Sequence, residues 1–412
     1  MNSSTPADRM TARSTCRGPS LAPLLALTLS GCGDTPAPTS GAEVQIRDSA
    51  DIRIVEYLGT PSIPTLTLAD EPVYTHGIRE GDYLFSNIGV WMGGVLFPDG
   101  RAAVSDTESD EIVMLSGDGT RHEVIARAGQ GPGEIGGFVA LYGAGPGTLL
   151  VDDRLNRRLT LFAHGALVRS VPVPQTAHGV PLHPDGLDAA GNVLMSSGLS
   201  SGRDSGQEWR PGYMVRFDLE TQVAHTVASF EKTPPATRRV AGPTLFSYAG
   251  VVGVADGEFV HGRNDIPELI WRRPDGSVRQ IMRWQPEWAY PTAESRERFL
   301  ACRRAALRED PYRTEAMIEA DLASWQFNYD EPEPLFATIF GDGEGRAWLW
   351  HWQAHCYNRN RFTVIGPDGT WLGVFEPPDG FDLLSVAGEH ALVLVKDEMD
   401  VESLAVYELV GW

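Results

Sequence analysis

A hairpin of two alternating strands around a tight glycine turn recurs along the chain, and this repeat restricts the fold more than any other feature. In its clearest copy, residues 112–125, the first strand is apolar from Ile112 to Leu115, and Asp118-Gly119 forms the turn. The Asp-Gly pair suits the positive φ angles that tight hairpin turns require. Further copies begin at Leu159, Met214, Leu269 and Phe362.

A second hairpin precedes each of these copies, for example at 94–106 and 337–350. Two hairpins in succession make a four-stranded antiparallel blade, which is the repeating unit of a β-propeller. The copies are spaced by roughly 50 residues, as expected for a repeat of this size, except before the last copy, where an insertion lengthens the step. The repeat predicts an all-β fold, a six-bladed β-propeller of four-stranded antiparallel blades.

The last blade lacks one strand at the C-terminus. Residues 383–395 form its inner hairpin, residues 403–409 form its third strand, and the chain ends at Trp412. An unassigned strand at residues 51–57 is predicted to pair with this blade and close the ring, which removes an open sheet edge. The alternative is seven blades, if residues 62–78 contribute a blade of their own.

The N-terminus has the pattern of an export signal. Arg9, Arg13 and Arg17 precede an apolar run from Leu21 to Leu29. That run is shorter than the roughly 20 residues that a membrane-spanning helix needs. The sequence from Leu29 to Cys32, Leu-Ser-Gly-Cys, resembles the bacterial lipobox. The resemblance implies cleavage before Cys32 and attachment of diacylglycerol to its sulfur, whereas the alternative is an ordinary secretory signal with a chance cysteine.

These observations divide the chain into a lipoprotein signal peptide (1–31), a flexible tether rich in Pro, Ser, Thr and Gly (32–45) and the propeller (46–412). The formal net charge of −21 argues against nucleic-acid binding and against a polybasic contact with anionic lipid. We therefore expect a monomer that contacts the membrane through the lipid on Cys32.

Two segments resemble bacterial six-bladed, NHL-like β-propeller lipoproteins. One is the loop Arg127-Ala-Gly-Gln-Gly-Pro-Gly-Glu134, and the other is residues 98–106, which match the first blade of these proteins. The resemblance covers roughly residues 50–412 and implies a lipoprotein of the cell envelope, on the periplasmic side or the cell surface, with the outer membrane favoured. The family is mostly uncharacterised, so the resemblance transfers no catalytic residues.

Residues 291–328 interrupt the strand pattern between blades four and five. Thr292 or Ser295 can cap a first helix that Pro311 ends, and a second helix is predicted from Thr314 to Trp325. This helical hairpin is either a lid or partner-docking element, or an element that covers blade surface.

Two cysteines remain after Cys16 leaves with the signal and Cys32 is lipidated. Cys302 lies in the insertion, and Cys356 lies in the loop between the second and third strands of the next blade. Both positions belong to the same face of a propeller, and exported proteins often pair such cysteines. A Cys302–Cys356 disulfide is predicted, with two free thiols as the alternative.

Acidic and amide residues recur where second strands end, and they are expected to ring the central channel on one face. Their oxygens could bind Ca²⁺, as in lactonase-type propellers, although Asp also commonly ends strands and caps turns. The members of this set are Asp106, Asp152, Asp153, Asn264, Asp265 and Asp397.

His351 and His355 have the i, i+4 spacing of zinc ligands on a helix. Here they follow a strand and lack the Glu of a metalloprotease motif, so loop hydrogen bonding is the favoured interpretation of His351. Only two lysines occur, Lys232 and Lys396, and no function is predicted for them.

The predicted function is a ligand- or protein-binding module that uses its loop-rich face, with a protein, a small molecule or a glycan as the partner. The alternatives are a divalent-cation-dependent hydrolase or lyase with its site in the central channel, and a structural component of the envelope.

Overall fold

The protein is mostly β-structure. The computed structural model describes residues 43–59, 63–89, 92–175, 180–197, 208–235, 248–327, 329–351, 361–397, 399 and 401–412. These ranges contain 27 strands and two helices. Neither helix in these ranges has the length and apolar character needed to cross a bilayer.

Four strands precede the first hairpin repeat, and two arrays of four antiparallel strands follow them. The N-terminal strands are β1 (Val44–Ser49), β2 (Ile52–Tyr57), β3 (Thr65–Leu68) and β4 (Tyr74–His76). Array I contains β5 (Gly94–Leu96), β6 (Ala102–Asp106), β7 (Glu111–Leu115) and β8 (His122–Ala126). Array II contains β9 (Val139–Gly143), β10 (Thr148–Asp153), β11 (Arg158–Ala163) and β12 (Ala166–Pro172).

Two further arrays lie before the helices. Array III contains β13 (Leu182–Leu187), β14 (Val193–Ser197), β15 (Arg210–Asp218) and β16 (Val223–Thr233). Array IV contains β17 (Gly250–Ala255), β18 (Glu258–Arg263), β19 (Glu268–Arg272) and β20 (Val278–Arg283). The helices α1 (Ala293–Glu309) and α2 (Glu315–Ser324) come next.

The C-terminal strands form one nine-stranded sheet that contains two arrays. Array V contains β21 (Thr338–Gly341), β22 (Ala347–Trp350), β23 (Phe362–Ile365) and β24 (Trp371–Phe375). Array VI contains β25 (Phe381–Ala387), β26 (His390–Lys396) and β27 (Glu402–Val410), with β4 as its fourth strand. Strand β3 joins the two arrays, because it pairs in parallel with β24 and antiparallel with the end of β27.

Each array is a meander, so its strand ends fall on two edges. In array II, Asp153 lies opposite Val139 and Arg158, and Arg158 lies opposite Pro172. We call this edge, where first strands begin and second strands end, the loop edge. We call the opposite edge, which carries the hairpin turns, the turn edge.

Apolar side chains pack between successive arrays. Phe97 of array I and Leu141 of array II belong to one buried cluster, and other clusters join II with III, III with IV, IV with V, and V with VI. A further cluster contains Leu96 of array I and Leu404 of array VI. Stacked four-stranded antiparallel arrays with cores between them are consistent with a β-propeller.

Hydrogen bonds at the turn edge also join neighbouring arrays. They link arrays I and II, II and III, IV and V, V and VI, and VI and I. The contacts are Arg101 to His164, Arg169 to the Leu219 carbonyl, Arg279 to the Pro367 carbonyl, Arg346 to the Gly388 carbonyl, and Tyr74 to the Gly100 carbonyl.

Gly119 is a sensitive point of the contact between arrays VI and I. Its φ of 66° lies in the left-handed region, and a Cβ at this position would lie 2.3 Å from the ring of Tyr74. Alanine there must both adopt a left-handed backbone and displace the buried tyrosine.

We expect Gly119→Ala to lower the free energy of unfolding by about 1–3 kcal/mol more than Gly388→Ala does. Gly388 is the matched control, because its φ is 58° and nothing lies within 4 Å of its added Cβ. Both variants lose the left-handed freedom of glycine, so urea denaturation isolates the clash with Tyr74. Equal destabilisation in the two variants would contradict the expectation.

The strand predicted to close the last blade pairs elsewhere, so that prediction is wrong for residues 51–57. Strand β2 lies parallel to β20, at the outer side of array IV, where Val55 and Tyr57 are buried. An N-terminal strand does pair with β27, but it is β4, with His76 opposite Leu404. Tyr74 and His76 are buried there, so this shorter segment already covers the edge of β27.

The segment considered for a seventh blade does not form a separate array in the described part of the chain. Its residues contribute β3 and β4, which pair with strands of arrays V and VI. Strand β1 begins at Val44, within the predicted tether of residues 32–45, and pairs with β2.

Two helices lie in the insertion predicted at residues 291–328. The Thr292 side chain accepts from the Ser295 backbone N–H at 3.0 Å, and the Ser295 hydroxyl accepts from the Thr292 N–H at 2.7 Å. This reciprocal cap begins α1. Ile318 and Leu322 of α2 pack with Leu307 of α1.

Candidate functional site

The acidic residues predicted at the ends of second strands lie at the loop edge and accept hydrogen bonds from the backbone. Asp106 accepts from the Ser86 N–H at 2.9 Å, and Asp153 accepts from the Gly136 N–H at 3.1 Å. Both carboxylates are buried. Ser86 and Gly136 lie in the chain that enters each array, so the carboxylates hold the entering chain against the second strand.

The equivalent position in array IV has an amide. Asn264 is buried, and its Oδ1 accepts from the Ala249 N–H at 2.8 Å. The neighbouring Asp265 forms two hydrogen bonds with the Arg263 guanidinium, at 2.9 and 2.8 Å. The amide therefore has the same role as Asp106 and Asp153, and Asp265 forms a local ion pair.

The remaining predicted residues also have local partners. His351 Nε2 lies 2.6 Å from the Thr363 hydroxyl, and burial lowers the pKa of His351 to about 4. Asp397 accepts from the N–H groups of Met399 and Val401, at 2.8 and 2.9 Å, and so caps the loop between β26 and β27. His355 lies outside the described residues.

These residues do not converge on a metal site in the described ranges. No group of three or more His, Cys, Asp or Glu side chains there is placed to hold a metal ion. Bound Ca²⁺ therefore remains a prediction.

Cys302, in helix α1, is disulfide-bonded. Cys16, Cys32 and Cys356 all lie outside the described residues, so the pairing with Cys356 and the lipid on Cys32 stay predictions.

A different group of polar side chains gathers between arrays II and III. It extends from the loop edge toward the first strands β9 and β13, and we call it the polar cluster. Its members are Tyr142, Asp152, Arg154, His183, Asp185, Ser196 and Lys232.

Tyr142 and Asp152 form the array II side of the polar cluster. The Tyr142 hydroxyl donates to the Pro184 carbonyl at 2.7 Å, which ties β9 to β13. Arg154 Nε donates to Asp152 Oδ2 at 3.3 Å. Burial nevertheless raises the pKa of Asp152 to about 6, with Arg154 opposing the rise.

Asp185, on β13, has the most unusual environment. Its Oδ1 accepts from the Ser196 hydroxyl at 3.2 Å, while its Oδ2 is buried and has no hydrogen-bond partner among the described residues. Burial raises the pKa of Asp185 to about 7, and the Ser196 hydrogen bond and the Lys232 charge oppose this rise. A buried oxygen without a partner is costly, so such positions are often functional.

Two basic groups face the same space. Burial lowers the pKa of Lys232, and the charge of Asp185 partly offsets this. Burial also lowers the pKa of His183, with further contributions from the charges of Arg154 and Lys232. The polar cluster thus combines an acid that titrates near neutrality with basic groups whose charged forms are disfavoured, which suits hydrogen bonding to a polar ligand.

Sequence reasoning identified only Asp152 of this set. The other members come from four strands and one loop and lie up to 90 positions apart, between Tyr142 and Lys232. The one available signal was the rarity of lysine, because Lys232 is one of two in the chain. The second, Lys396, pairs with Glu402 at 2.9 Å.

Comparisons with known proteins provide no family assignment. No family model matches the chain, and no curated protein matches it. One structural neighbour is a candidate exported protein from Bacteroides fragilis, with a TM-score of 0.47 and 10% sequence identity over 87% of this chain and 99% of that one. A second is a DUF4221 family member from Bacteroides vulgatus, with a TM-score of 0.46 and 10% identity over 90% of this chain and 99% of that one. A third is a calcium-binding regucalcin from Agrobacterium tumefaciens, with a TM-score of 0.38 and 10% identity over 84% of this chain and 97% of that one. Similarity this low carries no argument about function.

Proposed function

We propose that the chain is a six-bladed β-propeller, with arrays I to VI as its blades and β4 closing the ring. The buried clusters between successive arrays support this, because the one that contains Leu96 and Leu404 returns from array VI to array I. The hydrogen bond from Tyr74 to the Gly100 carbonyl, at 2.8 Å, supports the same closure at the turn edge. The proposal includes that this propeller is of the NHL-like type.

The protein is exported and anchored by a lipid on Cys32, on the periplasmic side or the surface of the outer membrane. The support comes from the sequence alone, namely the Arg-rich start, the short apolar run and the Leu-Ser-Gly-Cys sequence that ends at Cys32. The helical hairpin is pinned to the propeller by the Cys302–Cys356 disulfide.

The loop edge binds a small polar ligand in the polar cluster. The observation that carries this proposal is Asp185 Oδ2, which is buried without a hydrogen-bond partner among the described residues. A ligand hydroxyl or amine would supply the missing donor, and Lys232 and His183 would contact its acceptors. Hydroxyl-rich molecules such as sugars have both kinds of group.

We expect at least one sugar in a panel of glucose, galactose, N-acetylglucosamine and maltose to raise the Tm of the wild-type chain. At pH 8, where the carboxyl of Asp185 is charged, Asp185→Asn should weaken the Kd by at least ~10-fold, because a hydrogen bond to a charged acceptor is lost. Asp275→Asn, an exposed aspartate at the turn edge, is the matched control and should bind like the wild type. Calorimetric titration measures both constants.

The proposal is wrong if no sugar raises the Tm, or if Asp185→Asn and Asp275→Asn bind equally well. The divalent-cation hydrolase or lyase predicted as the alternative is not favoured over binding. The acidic residues that it would need at the second-strand ends, Asp106 and Asp153, are hydrogen-bonded to backbone N–H groups.

A further inference from the structure

Exposed apolar side chains concentrate at the loop edge. Outside the helical hairpin (residues 293–324), the four most exposed large apolar residues in the described ranges are Met399 (79%), Leu84 (72%), Leu155 (67%) and Ile78 (64%). All four lie in segments that join strands at this edge, and Phe138, which is 54% exposed, lies immediately before β9. We call these five residues the apolar rim.

The apolar rim is shared by neighbouring arrays. Ile78 and Leu84 belong to the segment between β4 and β5, and Met399 to the loop between β26 and β27. Leu155 lies in the loop between β10 and β11. The rim therefore follows the loop edges of arrays VI, I and II, and large exposed apolar patches of this kind mark interaction surfaces.

Hairpin tips at the turn edge have a different chemistry. Asp118, Asp275 and Asp368 each lie in a hairpin turn and accept hydrogen bonds from the residues that follow them. Acidic side chains thus occupy these hairpin tips, whereas the most exposed apolar side chains outside the helical hairpin lie at the loop edge.

The N-terminal segment also enters the fold at the loop edge. Glu56 of β2 lies beside Arg283, the last residue of β20, and Val44 of β1 lies opposite Tyr57. Val44 is therefore at the loop edge. It lies twelve positions after Cys32, a span of at most ~43 Å when fully extended.

We propose that the loop edge lies against the lipid bilayer, with the apolar rim inserted at the level of the headgroups. This orientation rests on the proposed lipid anchor at Cys32, because a short tether that starts at the loop edge holds this edge near the membrane. The chain carries a net charge of −21, so apolar contact rather than attraction to anionic lipid holds the surface. The polar cluster then opens at the membrane surface.

The test uses the full mature chain in phosphatidylcholine vesicles whose acyl chains are brominated. An environment-sensitive fluorophore is attached to Leu84→Cys or Leu155→Cys, and Val223→Cys in the hairpin between β15 and β16 is the matched control. The unsubstituted chain corrects for labelling of native cysteines. We expect brominated lipid to quench the two loop-edge probes at least twofold and to leave the Val223 probe unchanged, at low and high salt.

A mass measurement of the N-terminal peptide reports separately whether Cys32 carries lipid. If Cys32 is lipidated and the loop-edge probes are quenched no more than the Val223 probe, membrane docking is overturned while the anchor stands. If Cys32 carries no lipid but the loop-edge probes alone are quenched, docking is supported and the anchor is overturned. If there is neither lipid nor vesicle binding, both proposals are overturned.

Discussion

Replacing Asp153 with alanine is expected to lower the free energy of unfolding by about 3–5 kcal/mol. The side chain is completely buried and accepts from the Gly136 N–H at 3.1 Å and from both the N–H and the side-chain amide of Asn156, at 3.1 and 2.8 Å. It also pairs with the largely buried Arg158 at 3.3 Å. Alanine would leave these donors and one charge without their acceptor.

Asp397→Ala is the matched control, because Asp397 follows the second strand of its own array as Asp153 ends the second strand of array II. It accepts from the N–H groups of Met399 and Val401 but is exposed, so water can replace it and the loss should be about 1 kcal/mol. Urea unfolding of both variants measures the difference. If the two variants lose similar amounts of unfolding free energy, burial of Asp153 does not determine the cost of removing its carboxylate.

Asp185→Asn is expected to stabilise the protein at pH 8 by about 3 kcal/mol and to change little at pH 4. The pKa of Asp185 is about 7 in the folded state against an ordinary 3.8, so the folded state binds this proton more tightly. The stabilising contribution of the protonated carboxyl is complete below pH 4 and is lost as the pH rises to about 7. The rise in the pKa of Asp185 corresponds to at most about 4 kcal/mol of unfolding free energy.

Urea unfolding from pH 4 to pH 8 checks this expectation, with the difference between wild type and Asp185→Asn as the readout. Ser196→Ala is a useful second variant. It removes the hydrogen bond that lowers the pKa of Asp185, so stability should continue to fall at higher pH than in the wild type. A difference between wild type and Asp185→Asn that stays constant from pH 4 to pH 8 would contradict the assignment.

The local parts of the fold could be predicted from the sequence. Short apolar runs and Asp-Gly turns identify hairpins such as β7–β8, because both signals lie within a dozen residues. The choice of partner for an isolated strand is not local. Strand β2 has the clearer alternation, yet β4, with three residues, pairs with β27. Which strand covers that edge depends on packing between residues that lie far apart in the sequence.

The candidate site was harder to predict for the same reason. The order of the strands predicts that Asp106, Asp153 and Asn264 share one edge, but the sequence does not reveal that these side chains already accept hydrogen bonds from backbone N–H groups. The polar cluster draws single residues from separate strands, and Asp185 becomes unusual only because the fold buries it. The sequence shows neither the burial of Asp185 nor the lack of a hydrogen-bond partner for its Oδ2 among the described residues.

The pairing of β4 with β27 also determines when the chain can complete its folding. His76 lies opposite Leu404, 328 positions later, so this pair cannot form until residue 404 has been synthesised. A contact of such long range forms slowly, and no shorter nascent chain can make it. Strand β4 therefore stays without this partner until β27 has been synthesised. If the proposed export signal directs the chain across a membrane in an unfolded state, the pairing of β4 with β27 is completed only on the far side.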